Sequence, residues 1–182
     1  MKKLLKLVEK PIRYTGEEIN MCKKDPLKVK CRFAFCFPDV YEIGMSHLGL
    51  RILYDLYNRR EDTYCERVFA PWVDMEALMR ENNIKLQALE SKDEIRNFDM
   101  LGFTLQYEMS YTNILNMLEL AGIPLLSKDR NENMPFVMAG GPCAYNSEPI
   151  TDFFDFFVMG EGEEVNMEIT DEFIKWKEEG VL

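Results

Sequence analysis

Along this chain, short apolar runs alternate with segments whose apolar residues recur at helical intervals. Cys31-Arg32-Phe33-Ala34-Phe35-Cys36-Phe37 is rich in aromatics and stops at Pro38, which predicts a strand over 31–37 whose ladder ends at the proline. After the loop 38–45, Ser46 stands as a helix N-cap, and Leu48, Ile52, Leu53, Leu56 and Tyr57 form one apolar face of a helix to about Asn58. Tyr64–Phe69 reads as a second strand, Trp72 to about Glu81 as the helix behind Ala70-Pro71, and Ile84–Leu89 as a short third strand at a sheet edge. Ser91-Lys92-Asp93-Glu94 resembles a capping box and opens a brief helix towards Asn97. Asp99–Leu105 reads as a buried central strand. Glu108–Ala121 is its helix, with Ile114, Leu115, Met117, Leu118 and Ala121 inward and a stop at Gly122 and Pro124. Phe136–Ala139 and Phe156–Met159 are the last strands, and Gly162–Lys177 is the closing helix, anchored by Phe173, Ile174 and Trp176.

Strand and helix alternating in this way predict an α/β domain over 31–182. The sheet is expected to be doubly wound and mainly parallel, Rossmann-like or flavodoxin-like, with helices on both faces. Residues 1–30 carry two prolines and little periodicity and read as an irregular arm. In open α/β sheets ligands lie outside the carboxyl ends of the strands. One rim should therefore collect the candidate binding residues: Gly44, Met45, Ser46 and His47; Thr104, Leu105, Gln106 and Tyr107; Gly140, Gly141 and Pro142; and Gly160, Glu161, Gly162 and Glu163. Gly140-Gly141-Pro142 lets backbone come close to a bound molecule, although a plain tight turn would read the same way.

Charge changes the picture of the arm more than that of the domain. The net charge is −10, but residues 1–32 carry ten Lys/Arg against four Asp/Glu, so the body is the acidic part. An acidic body argues against nucleic acid as the main ligand, and the basic arm is expected to be solvated or to pack on the body of its own chain. Five cysteines without a Cys-x-x-Cys pair suit reduced thiols and a cytoplasmic location. Cys31 and Cys36 should point to opposite faces of their strand. Neither a signal peptide nor a membrane-length apolar run is read in the chain.

A dinucleotide fingerprint is incomplete. Gly160-Glu161-Gly162-Glu163-Glu164 opens a helix but lacks the third glycine, and its carboxylates would repel a pyrophosphate while suiting a ligand edged with amide N–H donors. The single histidine, His47, has no triad partner, and no Ser/His/Asp set, zinc cluster or iron–sulfur spacing can be assembled. No catalytic or metal-ligating residue is assigned, and the chain is expected to catalyse nothing by itself.

Several stretches in order carry a family likeness. They are Pro11-x-Arg13-Tyr14-x-Gly16-x-Glu18-x-Asn20, Phe37 through Leu50 (FPDVYEIGMSHLGL), Gly102 through Glu108 (GFTLQYE), Gly140-Gly141-Pro142 and Gly160 through Glu164. Together they resemble the N-terminal region of cobalamin-binding-type radical SAM proteins, often labelled Fe–S oxidoreductases. The resemblance implies a Rossmann-like cobalamin (B12)-binding-type domain standing before a radical SAM barrel, its partner in the parent chain. The [4Fe–4S] cluster and S-adenosylmethionine would belong to that barrel, because Cys-x-x-x-Cys-x-x-Cys does not occur here. The resemblance further implies a fragment or a separated accessory domain.

Many cobalamin domains place Asp-x-His-x-x-Gly after the first strand. Here Met45 stands two positions before His47 and Gly49 comes too soon. Any corrinoid is therefore expected base-off and without a histidine ligand, its tail near Gly140-Gly141 and its ring edge near 104–107 and 160–163. A scaffold that keeps the fold without the ligand, or another small-ligand α/β module such as a flavin or receiver-like domain, remains open.

Overall fold

The computed structural model describes residues 3–180; Met1, Lys2, Val181 and Leu182, the outer ends of the arm and of the domain as read above, lie outside the described residues. Five parallel strands run in the order β2-β1-β3-β4-β5: β1 Cys31–Phe37, β2 Thr63–Phe69, β3 Met100–Thr104, β4 Phe136–Gly140 and β5 Phe156–Val158. This is the flavodoxin-like form of the doubly wound sheet.

The period of two along β1 sorts the core into two layers. Cys31, Phe33, Phe35 and Phe37 face helices α2 (Leu48–Arg59) and α5 (Gly162–Glu179), where Leu50, Tyr54, Tyr57 and Ile174 are buried. Ala34 and Cys36 face α3 (Val73–Glu81) and α4 (Tyr111–Ala121), where Met75, Met79, Ile114, Met117 and Leu118 are buried. Gly122 ends α4 at φ +71°, the left-handed cap a glycine supplies without strain. No helix of the described residues is long and apolar enough to cross a membrane.

Four local expectations are corrected. First, the segment 38–46 is not all loop. Tyr41–Ser46 forms a short helix, α1, because the Val40 carbonyl accepts the N–H groups of Ile43 and Gly44. Gly44 makes this turn close on the sheet: a Cβ there would lie 2.2 Å from the Phe69 ring. Second, the cap of α2 is His47, not Ser46. His47 Nδ1 accepts from the Leu50 N–H at 3.2 Å, whereas Ser46 Oγ donates to the Ile43 carbonyl.

Third, α2 buries Leu50, Tyr54 and Tyr57, while Leu48 and Ile52 are exposed. Apolar residues cover more than half of this helix, and docking on β1 chose the aromatic side. Fourth, Ile84–Leu89 is not a strand. It runs beside β2 with one ladder-type bond, Leu89 N–H to the Arg67 carbonyl at 2.8 Å, and closes on itself through a single antiparallel bridge, Gln87 to Glu94. The bonds of its other amides go elsewhere, as with Leu86 N–H to the Leu120 carbonyl.

That segment and the arm together cover the outer edge of β2, which would otherwise offer unpaired backbone to another chain. Arg67 on β2 is the hub. Its Nε meets Glu90 at 2.6 Å, its Nη2 meets Glu18 of the arm at 2.8 Å, and its guanidinium lies 4.8 Å from the Tyr54 ring centre. Burial works against its charge, but Glu90 and Glu18 outweigh this and hold its pKa above the ordinary value.

A second clasp joins Arg13 of the arm to Glu42 of α1 at 2.8 Å, with Arg13 over the Trp72 ring at 5.1 Å. The hydrogen bond from Arg13 is the main cause that holds the Glu42 carboxyl down, to about 2 from an ordinary 4.5. A depressed carboxyl stabilises the fold above its unfolded value and loses that contribution as pH falls through its folded value. The arm should therefore loosen between about pH 4.5 and 2, the range bounded by those values. Tryptophan fluorescence followed over that range should show a transition that Glu42→Gln removes; an unchanged transition in the variant would discount the clasp.

Candidate functional site

The chain leaves β1 towards α2 on one face of the sheet and leaves β3 towards α4 on the other. The two loops diverge and open a cleft at the carboxyl ends of neighbouring strands, as expected at a topological switch point. The cleft has a volume of about 190 Å³. It runs down the sheet beneath α2 and α5, so that its floor is Phe33, Phe35, Gly102 and Met138 and its side wall is Leu53, Tyr57 and Val158. Phe33 and Tyr57 stack with ring centres 4.2 Å apart. Gly102 leaves room for this pair, since a Cβ there would meet the Phe33 ring at 2.4 Å.

Of the residues expected at the rim, the fold brings His47, Thr104, Gln106, Gly140, Gly141, Gly160, Glu161, Gly162 and Glu163 to this one cleft. Thr104 Oγ1 accepts from Gln106 Nε2, which joins the two polar groups of the β3 end. Tyr107 and Pro142 are exposed beside the mouth, and Ser46 is exposed at the end of α1. Neither these three nor the remaining three line the cleft. Gly44 is buried against Phe69, Met45 has its sulfur 3.1 Å from Arg67 Nη1, and Leu105 is buried and ties β3 to β4.

The two adjacent glycines have different duties. Gly141 sits at φ +107°, a conformation side chains rarely adopt, and a Cβ there would press on the Leu105 carbonyl oxygen at 3.0 Å. Leu105 N–H donates to the Gly140 carbonyl at 2.7 Å and the Leu105 carbonyl accepts from Cys143 N–H at 3.0 Å, so the turn is clamped by backbone. Gly140 is unstrained, and a Cβ there would find only ordinary contacts with Val158, at 3.5 Å and beyond. Gly141 shapes the turn; Gly140 keeps the cleft open.

Sequence reasoning missed Asn166, in the second turn of α5. It is 7% exposed and lines the cleft, its Oδ1 has no hydrogen-bond partner among the described residues, and its amide nitrogen lies 2.8 Å from where a Cβ on Gly162 would stand. The Gly162-x-x-x-Asn166 spacing, one helical turn, was the available signal. Among the described residues no Lys or Arg lines the cleft, and its charged residues are Glu161 and Glu163, both exposed at the start of α5. Carboxylates there complement the helix dipole and disfavour a phosphate-rich ligand.

A corrinoid can be tested against these dimensions. An apolar cavity of about 150 Å³ holds a benzene ring. The cleft therefore admits a somewhat larger flat ring system but not a corrin macrocycle, which would have to rest on the rim. Tyr107, Met109, Tyr145 and Met159 are exposed large side chains within about five residues of the carboxyl ends of their strands. Ligation of a metal by His47 does not fit. With Nδ1 accepting from Leu50 N–H, the neutral ring carries its proton on Nε2 and has no lone pair free for a metal.

Comparison with known proteins matches residues 49–182 to the family described as radical SAM proteins, N-terminal. The match covers α2 through α5 and all strands but β1. A relative from Methanocaldococcus jannaschii, the uncharacterized protein MJ0966, is 30% identical over 138 residues, which are 74% of this chain and 25% of that protein. The chain thus spans about a quarter of the length of the curated relative it matches. With the family match extending over most of a five-stranded parallel α/β fold, this chain belongs to the family of radical SAM proteins, N-terminal.

Proposed function

We propose that this chain is the accessory ligand-binding module of a radical SAM enzyme and that its cleft takes a corrinoid bound base-off. The uncharged base of the nucleotide tail enters the slot beneath α2 and α5, its phosphate stays outside in solvent, and the corrin ring rests on the apolar rim. The observation that carries this reading is a ring-sized apolar slot at the switch point opening onto a rim of exposed large apolar side chains. Gly140, Gly160 and Gly162 keep the mouth open. Glu161 and Glu163 accept from the amide groups that fringe a corrin, and Thr104 and Gln106 supply the remaining polar contacts. Bound there, a corrinoid supplies a cobalt centre for group transfer; the [4Fe–4S] cluster and S-adenosylmethionine belong to the rest of the parent protein. A second reading, in which the rim docks on the rest of a longer parent with no ligand between, draws on the same exposed side chains.

Titration with hydroxocobalamin separates the two. Binding should change the corrin absorption spectrum and, at a ligand concentration about a hundredfold above Kd, add about 2.7 kcal/mol of stability. For a chain of this size that raises Tm by roughly 5–10 °C. An unchanged spectrum together with an unchanged Tm leaves the docking reading. In the reduced Co(II) form, the paramagnetic resonance spectrum should lack splitting from an axial nitrogen and be the same in His47→Ala. Nitrogen splitting that vanishes in the variant would overturn the ligand assignment.

A further inference from the structure

We infer that residues 17–24 of the arm are a strap whose docking and the occupancy of the cleft favour each other: the strap holds one wall of the cleft in place, and a ligand in the cleft holds the strap down. The effect on affinity rests on the corrinoid reading above; the strap's hold on the wall does not. Helix α2 supplies Gly49, Leu53 and Tyr57 to the cleft, and His47, which follows α1 and caps α2, lines it too. Helix α1 brings little burial of its own, since it has six residues and buries only Gly44. A helix that short is not stable by propensity, so its position is set by what its side chains hold.

What they hold is the arm. The Tyr41 hydroxyl donates to Glu18 Oε1 at 2.6 Å, and the Glu42 carboxylate accepts from Arg13 at 2.8 Å. The Met45 sulfur lies against Arg67, whose Nη2 holds the other oxygen of Glu18 at 2.8 Å. Further along the arm, Cys22 N–H donates to the Tyr54 hydroxyl of α2 at 2.8 Å. One short stretch thus links both helices. The strap itself is lightly held: from Glu17 to Lys30 no side chain is buried, whereas Leu4, Val8 and Gly16 anchor the arm before it. A segment tied by solvent-edge polar bonds without apolar burial is among the first to open. Any ligand that needs the wall formed therefore stabilises the docked strap by the same factor by which the strap strengthens its binding.

Combining Tyr41→Phe with Tyr54→Phe removes both strap bonds and keeps the two rings, and neither tyrosine lines the cleft. Amide hydrogen exchange, trypsin cleavage at Lys23 and Lys24, and titration with hydroxocobalamin are measured on the wild type and on this variant. The α1 amides of Ile43 and Gly44 should exchange about tenfold faster in the variant, the loss expected for two hydrogen bonds. Hydroxocobalamin should bind the variant about fivefold more weakly, the low end of usual coupling. At saturation it should slow cleavage of the wild-type strap by a similar factor and give the variant little protection. Faster cleavage in the variant with α1 exchange unchanged would overturn the inference and leave the strap as a cover for β2. Unchanged affinity in the variant, or no protection in the wild type, would overturn the coupling while leaving corrinoid binding in place. If hydroxocobalamin does not bind the wild type, the corrinoid reading falls, and α1 exchange in the ligand-free proteins alone decides whether the strap holds the wall. Should the double variant fail to fold, Tyr41→Phe alone and the protection of the wild type give the answer.

Discussion

Replacing Arg67 with methionine should lower the melting temperature of the chain by on the order of 10 °C. The substitution keeps most of the side-chain volume but strands Glu90, itself 6% exposed, and leaves Glu18 without its cation. Breaking a buried ion pair by removing one partner costs about 3–5 kcal/mol, because a charge remains buried without compensation. For a domain of this size each kcal/mol moves Tm by roughly 2–4 °C. The loss should be largest where the arm meets β2, so protease cleavage between residues 15 and 30 should rise along with it. Adding Glu90→Met to Arg67→Met should restore most of the stability, since an apolar pair of similar volume is often as good as the ion pair it replaces. A single variant melting within 2 °C of wild type, or a double variant no better than the single one, would show that the ionic hub does not hold the arm.

The second large effect distinguishes two neighbouring glycines. Gly141→Val should lose roughly 3 kcal/mol or fail to fold, since a residue held in a glycine-only conformation costs about 1–3 kcal/mol and forced overpacking adds a similar amount. Its Cβ would press on Leu105 backbone, which cannot retreat without breaking the bonds that clamp β3 to β4. Gly140→Val should keep the wild-type Tm, because that site has ordinary room and lies at a strand end where valine is favoured. It should nonetheless weaken corrinoid binding at least tenfold by filling the mouth of the slot. Comparable stability of the two variants would contradict the assignment of Gly141 to the turn. Undiminished binding in Gly140→Val would move the ligand away from this cleft.

Much of this architecture is legible from local chemistry alone. The first strand is read to the residue because a run of aromatics ending at a proline has few other conformations open to it. The opposite facing of Cys31 and Cys36 follows from the strand period and is seen in their two separate core layers. The last helix begins at Gly162 as read, because Gly160-Glu161-Gly162 combines a break with acidic helix-start chemistry. Ile84–Leu89 misleads because six residues of mixed apolar character carry no periodicity long enough to tell a strand from a lining segment. His47 displaces Ser46 as the cap because Ser46 is the last residue of α1 and its hydroxyl already donates to the Ile43 carbonyl of that helix.

The order and kind of the elements, and with them the rim where strand ends gather, were written in hydrophobic spacing and in proline and glycine punctuation. Those signals act within a few residues and survive without a partner. Which side of α2 would be buried, that an edge strand would be sealed by the arm through Arg67, and that Asn166 would face a cleft rather than water were decided only when distant segments packed together. Burial is a property of the neighbours a residue acquires, and a polar side chain on a helix reads the same in sequence whether solvent or a ligand slot lies in front of it.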